Sequence, residues 1–533
     1  MKSLRWVLIA LMCVTAFGLT GLAQETPKDG GTVILWMSAA PNTFLGYYSF
    51  GDQARFPCDL IYDQLYDAYP NGEFVPRLAS GYDLSSDGLT YTFYLNPDAM
   101  WQDGEDVTSE DVKFTIELLG DPEYTGSNAS DVLAIAGAAE YQAGEADEVS
   151  GVTIIDDLTV QITLKELDVS WFELFATELW ILPEHLLAGE EVATLDQSTF
   201  AMSPIGSGPF KFVQYFNGDY AEFVRNENYH LGRPNVEEII IRIMDPEAAV
   251  AAMETGEVDA CMNYKVAVLP ADAIERLEAN PDVTIDTFPT DSFEFIAMDL
   301  REYPMSNVKF RQALSYSINR EAMVQAVLAG FGIPGYTMLM PGSPYDNADV
   351  NHYEYNPEKA RELLAEINWD PNTKLVFGSP NQPQRSIIAA MLQQDFAAIG
   401  VNLDIEVYDF GTMYSKSLDG DFDIWHLGWG SGGIQYPGYT FFNMLHSTQW
   451  PPLWNFSRYN NPTVDTLLEL APTIIDRAAG IRVYDQLQEI ISEELPYIIM
   501  MNKSGYSARS VRLHNFADSI GGTTYNSHKW WVE

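Results

Sequence analysis

Residues 83–118, DLSSDGLTYTFYLNPDAMWQDGEDVTSEDVKFTIEL, constrain the fold most, because this one stretch specifies a hairpin, a tight loop and a capped helix in succession. Asp87 and Gly88 supply the positive-φ pair of a two-residue turn. Thr90, Thr92 and Tyr94 then alternate with Leu89, Tyr91 and Phe93 at strand period, so one face of the hairpin expects burial. A second turn follows at 101–104, WQDG. Thr108 and Asp111 form a capping box ahead of Val112, Phe114 and Ile116, which places a helix start near Ser109.

The chain opens with Lys2 and Arg5, an apolar run over 6–19 and a small-residue end at Gly21 and Ala23. That is the pattern of a secretory leader covering 1–23. Cys13 follows the bulky Met12, a poor fit to a lipid-anchoring cleavage site. No later stretch approaches the ~20 apolar residues of a membrane span, so an exported, periplasmic or extracytoplasmic protein is expected.

Removing that leader from 533 residues leaves more chain than one core usually organises, since cores tend to split beyond ~250–300 residues. Two lobes are expected. With 76 acidic against 29 basic residues, the formal charge of −47 argues against nucleic-acid or anionic-membrane binding. After leader removal Cys58 and Cys261 remain, and their spacing fits neither a zinc knuckle nor a redox pair. A disulfide between them and a pair of buried thiols are both open.

Along the first half, 32–36 and 238–243 read as strands, 152–155 with 159–164 as a hairpin, and 56–66 and 246–253 as helices. Glycines and prolines punctuate short strands over 203–223. From 307 the pattern changes to α/β alternation: helices over 308–328 and 357–367, then strand, helix, strand, helix and strand over 374–427. Such a succession predicts a mostly parallel sheet in the second lobe. A late helix at 483–492 precedes a strand at 497–501.

The usual catalytic constellations are missing from the sequence. There is no G-x-S-x-G, no H-E-x-x-H and no phosphate-binding G-x-x-x-x-G-K-[ST], and the seven histidines include no pair at helical spacing. Asp419, Asp421 and Asp423 alternate, yet the apolar Ile424 and Trp425 that follow argue against a calcium loop. No cofactor, metal site or enzymatic activity is expected.

The 83–118 segment resembles the hairpin, W-x-D-G turn and helix start of the extracytoplasmic solute-binding proteins of ABC importers, family 5, which includes oligopeptide, dipeptide and nickel binders. Further blocks fall in that family's order: SPIGSGPFKF at 203–212, AMETGEVDA at 252–260, VKFRQALSYSINREAMV at 308–324, YNPEKARELLAE at 355–366, GDFDIWHLGW at 420–429 and ELPYIIM at 494–500. The resemblance implies a two-lobed α/β periplasmic-binding-protein architecture (type II, cluster C) with a hinge and an extra subdomain in lobe I. Its implied bounds are 24–65, 195–289 and 503–533 for the lobe I core, 66–194 for the extra subdomain and 290–502 for lobe II. Crossings fall at 286–294 and near 497–504, with Phe288, Phe293 and Met501 as hinge residues. A monomer serving an ABC permease, with its transmembrane and ATPase subunits, is the implied partnership.

Ligands of such folds gather at the carboxyl ends of strands and at the domain seam. Trp429 stands at the end of the strand 422–427 and the loop behind it, before Gly430, Ser431 and Gly432, where missing side chains let a ligand approach backbone groups. Trp425 shares its face and His426 takes the other. By resemblance Trp429 matches an aromatic that lines the family's pocket, whereas Gly432 replaces the aspartate that peptide binders use for an α-ammonium. His426 stands where some of them carry arginine. Further candidates are Trp36, Phe410, Tyr436, Trp450 and Trp454. With aromatics at 13% of residues, rings to stack on pyranose faces favour an oligosaccharide ligand, and a peptide held by its backbone is the alternative.

Overall fold

Two long antiparallel strands, Val283–Met298 and Ile498–Ser510, run through the centre of the fold. Val283 to Pro289 pair with Ser510 to Ser504; the ladder then breaks and resumes from Phe293 opposite Asn502. Thr290, Asp291 and Ser292 thus stand against Lys503 alone, a bulge that bends the strand. Phe288 flanks it on one side, its ring against Gly505, and Phe293 on the other, while Met501 pairs with Glu294. The computed structural model describes residues 26–49, 52–68, 73–126, 128–216, 218–262, 269–430, 436–516 and 526–533. The expected leader, with Cys13, lies outside them.

These strands join the two halves of one 11-stranded sheet. On one side come Ala260–Cys261, Thr32–Met37, Glu238–Ile243, Tyr220–Arg225 and Phe210–Phe216; on the other come Ile424–Trp429, Lys374–Pro380 and Asn402–Tyr408. The latter three are parallel to one another, as the α/β alternation predicts, and only the contact of Ile424–Trp429 with Val283–Met298 is antiparallel. The core divides with the sheet. Val283 and Ala508 pack with Trp36 and Met253, whereas Phe295 and Ile499 pack with Trp425 and Tyr484, and Ile296 and Met500 with Phe377 and Leu392.

The 83–118 segment folds as a sheet edge and a helix. Ala79–Leu84, Thr90–Leu95, Thr159–Thr163 and Val152–Asp156 form a four-stranded antiparallel sheet in that order. Helix Ser109–Gly120 starts where the capping box puts it, with the Thr108 N–H donating to Asp111 Oδ2 at 2.8 Å. Asp111 also accepts from Trp101 Nε1 and from the Glu184 N–H, so the cap joins the WQDG turn to Glu184, 73 residues beyond Asp111. Gln102 links the turn to the SPIGSGPF block through the Gly208 and Phe210 carbonyls and the Gly206 N–H. Two distant motifs are therefore one packing unit.

Several expectations are corrected. The 87–88 turn is wider than two residues: only Gly88 has positive φ, and its N–H bonds the Ser85 carbonyl. The helix expected over 56–66 is a short one, Cys58–Ile61, followed by strand Tyr66–Ala68, because the chain must turn there to pair with Phe74–Pro76. The helix expected over 308–328 is two, Val308–Ser317 and Arg320–Leu328, since Asn319 caps a new helix by accepting from the Ala322 N–H. Cys58 and Cys261 are both buried, and no disulfide joins them.

Candidate functional site

Strand Ile424–Trp429 ends beside the bulge, with Gly428 opposite Glu294 and Trp429 opposite Phe293. Successive residues of a strand face opposite ways, so two different environments flank this carboxyl end. On the Trp429 face, its Nε1 donates to Thr440 Oγ1 at 3.1 Å, and its ring meets Trp454 edge-on at 5.7 Å and Tyr439 at 6.2 Å. Trp454 and Tyr439 are 40% and 51% exposed, so this aromatic corner is open to solvent.

The Gly428 face carries charge. Glu294 Oε1 lies 2.7 Å from Lys503 Nζ and 3.5 Å from Arg385 Nη2. A Cβ on Gly428 would sit 2.8 Å from Glu294 Oε1 and 3.0 Å from Arg385 Nη2, so glycine is what makes room for the cluster. These three residues line a cavity of about 400 Å³ together with Val327, Gln382 and Ile388. Gln382 and Pro383 open the helix Pro383–Ala398, whose N-terminal backbone adds further positive potential to the cavity. Two cations share one carboxylate, and Arg385 Nη1 and Glu294 Oε2 are buried without a hydrogen-bond partner. In a chain of net charge −47, a pocket with net positive charge is a local inversion.

Below the cluster, His426 is fully buried, its Nε2 3.1 Å from Ser379 Oγ and its ring stacked on Phe377. Burial, aided by the Arg385 guanidinium, pushes its pKa down to about 3, so the ring is neutral. The expected ligand contact of His426 is corrected: it supports the strand from below. Trp36 is corrected likewise, being fully buried among Val250, Met253 and Cys261. Trp425 is also fully buried in the core. Trp450 is half-buried, with Nε1 donating to the Tyr459 carbonyl at 2.9 Å. Phe410 is 44% exposed at the start of helix Phe410–Asp419, stacked on Tyr414. Gly430 leaves space that a Cβ would fill 2.7 Å from Ser292 Oγ, on the bulge. Tyr436 is buried, and its N–H donates to Glu173 Oε1 at 3.2 Å. Ser431 and Gly432 lie outside the described residues.

Sequence reasoning missed Glu294, Arg385 and Lys503. A lone acid inside the apolar strand run FEFIAM was the available signal, because a carboxylate is rarely buried without a partner. Among the described residues no group of three or more His, Cys, Asp or Glu side chains is placed to hold a metal ion.

Residues 73–452 match the model of the bacterial extracellular solute-binding proteins, family 5. The chain belongs to that family. Among family 5 relatives, the oligopeptide-binding protein AppA of Bacillus subtilis is 26% identical over 532 residues, covering 95% of this chain and 92% of AppA. An ABC transporter peptide-binding protein of Brucella ovis is 31% identical, covering 86% and 85%. The AppA structure in complex with a nonapeptide superposes with a TM-score of 0.66 at 25% identity, covering 95% of this chain and all of that one. HbpA2 of Haemophilus parasuis shares the fold with a TM-score of 0.83, covering 94% of this chain. Among the described residues no helix is long and apolar enough to cross a membrane.

Proposed function

We propose that this family 5 protein captures a peptide outside the cytoplasmic membrane and delivers it to an ABC permease. The two halves, 24–289 with 503–533 and 290–502, close about the bulge at 290–292, and the peptide carboxylate enters the cavity beside Arg385. The observation that carries this reading is the Arg385 guanidinium, mostly buried and with a buried, unpartnered Nη1, in a cavity where cations outnumber carboxylates. A buried charge without full compensation is costly, and an incoming carboxylate offsets that cost through a charge-assisted hydrogen bond. A neutral sugar offers no such group.

The oligosaccharide preference drawn from composition is therefore set aside. Of its stacking candidates, Trp36 is a core residue and Tyr436 is buried, and the relatives named above are oligopeptide- and peptide-binding proteins. Closure follows the usual linkage: the closed population rises only by the ligand's preference for it.

Titration with mixed tri- to nonapeptides, followed by calorimetry and thermal shift, tests the reading. At a hundred times the dissociation constant a ligand stabilises by about 2.7 kcal/mol. Amidating the peptide carboxyl, or making Arg385→Gln or Gly428→Ala, is expected to weaken binding at least tenfold, about 1.4 kcal/mol. Binding of cello- or manno-oligosaccharides with silence toward every peptide would overturn it.

A further inference from the structure

A second space, of about 230 Å³, shares no lining residue with the Arg385 cavity. Its walls come from two distant parts of the chain: Tyr82, Tyr91 and Phe172 on one side, Tyr345, Ile475 and Arg477 on the other. Hydrogen bonds fasten these parts at its margin, from the Val169 N–H to the Pro472 carbonyl at 3.0 Å and from the Tyr436 N–H to Glu173 Oε1.

The walls are built for a flat apolar guest. Tyr82 lies 4.5 Å from Phe172 between ring centroids, and Tyr91 stacks on Phe172 with planes 25° apart, so one wall is a laminate of rings. Arg477 stands 5.9 Å over the Tyr345 ring on the opposite wall, a cation beside an aromatic face. Tyr82 and Ile475 remain 40% and 45% exposed although both line the space, leaving apolar surface uncovered. The void continues over the helix Arg477–Glu494, because a Cβ on buried Gly480 would meet nothing nearer than the Ile474 carbonyl oxygen at 4.0 Å. An apolar cavity of roughly 150 Å³ takes up benzene, so this one has room for a larger ring system.

We propose that this space is a binding site for a planar aromatic group of one or two rings, and that a guest there bridges the two halves of the protein. The site does not depend on the Arg385 cavity. The peptide reading enters only in naming one of two sources of the ring: an aromatic side chain of the captured peptide, or a free aromatic compound.

Gly480→Leu fills the space from a helical position where leucine is the better helix former, and Gly480→Met is a second, more adaptable filler. Calorimetry on the purified protein would compare indole, Ala-Trp-Ala and Ala-Ala-Ala, with thermal unfolding confirming that each variant folds. Saturable indole binding that falls at least tenfold in either variant supports the site. If the ring comes from the peptide, Ala-Trp-Ala binds at least tenfold tighter than Ala-Ala-Ala, and the variants erase the difference. If the guest is a free compound, the two tripeptides bind alike while indole binding still falls. Indole binding with no tripeptide binding would sink the peptide reading and leave this site standing. Indole and Ala-Trp-Ala both insensitive to the fillers, or neither binding, would overturn the proposal.

Discussion

Glu294 Oε1 stands 2.7 Å from Lys503 Nζ, and this ion pair ties the two long central strands together beside the bulge where the ladder between them breaks. Glu294 is almost fully buried and Lys503 about one-third exposed. Lys503→Met leaves Arg385 as the remaining counterion at 3.5 Å, so the loss is expected to be about 1–3 kcal/mol, between that of a surface pair and that of a fully buried one. Urea unfolding measures it. An unchanged midpoint in this variant would show that the pair contributes nothing.

Gly206 has no room for a side chain, since a Cβ there would lie 1.9 Å from the Ile61 carbonyl oxygen. The obstacle is backbone, and it cannot swing aside as a side-chain tip could. Gly206→Ala is expected to cost about 3 kcal/mol or more, or to prevent folding, and Gly144→Ala serves as an open-space control. Gly144 has positive φ, so a cost of about 1 kcal/mol is expected there. Equal melting temperatures for the two variants would contradict this account.

Stability should fall on acidification below neutral pH because of His426. Burial, with the nearby Arg385 charge, lowers its folded-state pKa to about 3. The unfolded chain therefore takes up a proton below pH ~6.5 that the folded state refuses, so stability is full above that value and is lost as pH falls. Between pH 7 and pH 5 this amounts to about 2 kcal/mol. His528, also lowered to about 3 by burial, with Arg77 next in effect, acts in the same direction. Denaturant midpoints at the two pH values should converge in His426→Gln relative to the parent. Buried Asp63 and Asp111, whose carboxyls burial pushes up, titrate with the opposite sign, and the comparison with His426→Gln separates the two effects.

Cys58 and Cys261 should resist thiol reagents. Both are fully buried, and burial raises the Cys58 thiol well above its ordinary range, which suppresses the reactive thiolate. Ellman's reagent is expected to react with neither in the folded protein and with both in guanidinium. Dithiothreitol should leave the melting temperature unchanged; a fall would reveal a disulfide.

Local chemistry made the secondary structure and the family legible before any tertiary contact was known. The Thr108–Asp111 box, Pro246 in the first turn of helix Pro246–Thr255, Gly256 just behind it and the α/β alternation after 307 are written in residues that act within a turn of one another. Where a neighbour far along the chain decided, the reading failed. Cys58–Ile61 stops early because Tyr66–Ala68 must pair with Phe74–Pro76, and 308–328 breaks at Asn319, whose N–H donates to Asp395 Oδ2 on a helix 76 residues further on.

The site divides in the same way. Trp429 and Gly430 could be placed at a strand end from the sequence, since position along a strand is a local property. Whether Trp36, Trp425 and His426 faced a ligand or the core depended on what covers each strand face, and helices and strands distant in sequence supply that cover. Glu294, Arg385 and Lys503 are separated by 91 and 118 residues, yet one cavity gathers them. Periodicity reports which way a side chain points; only the folded chain determines which charges it meets there.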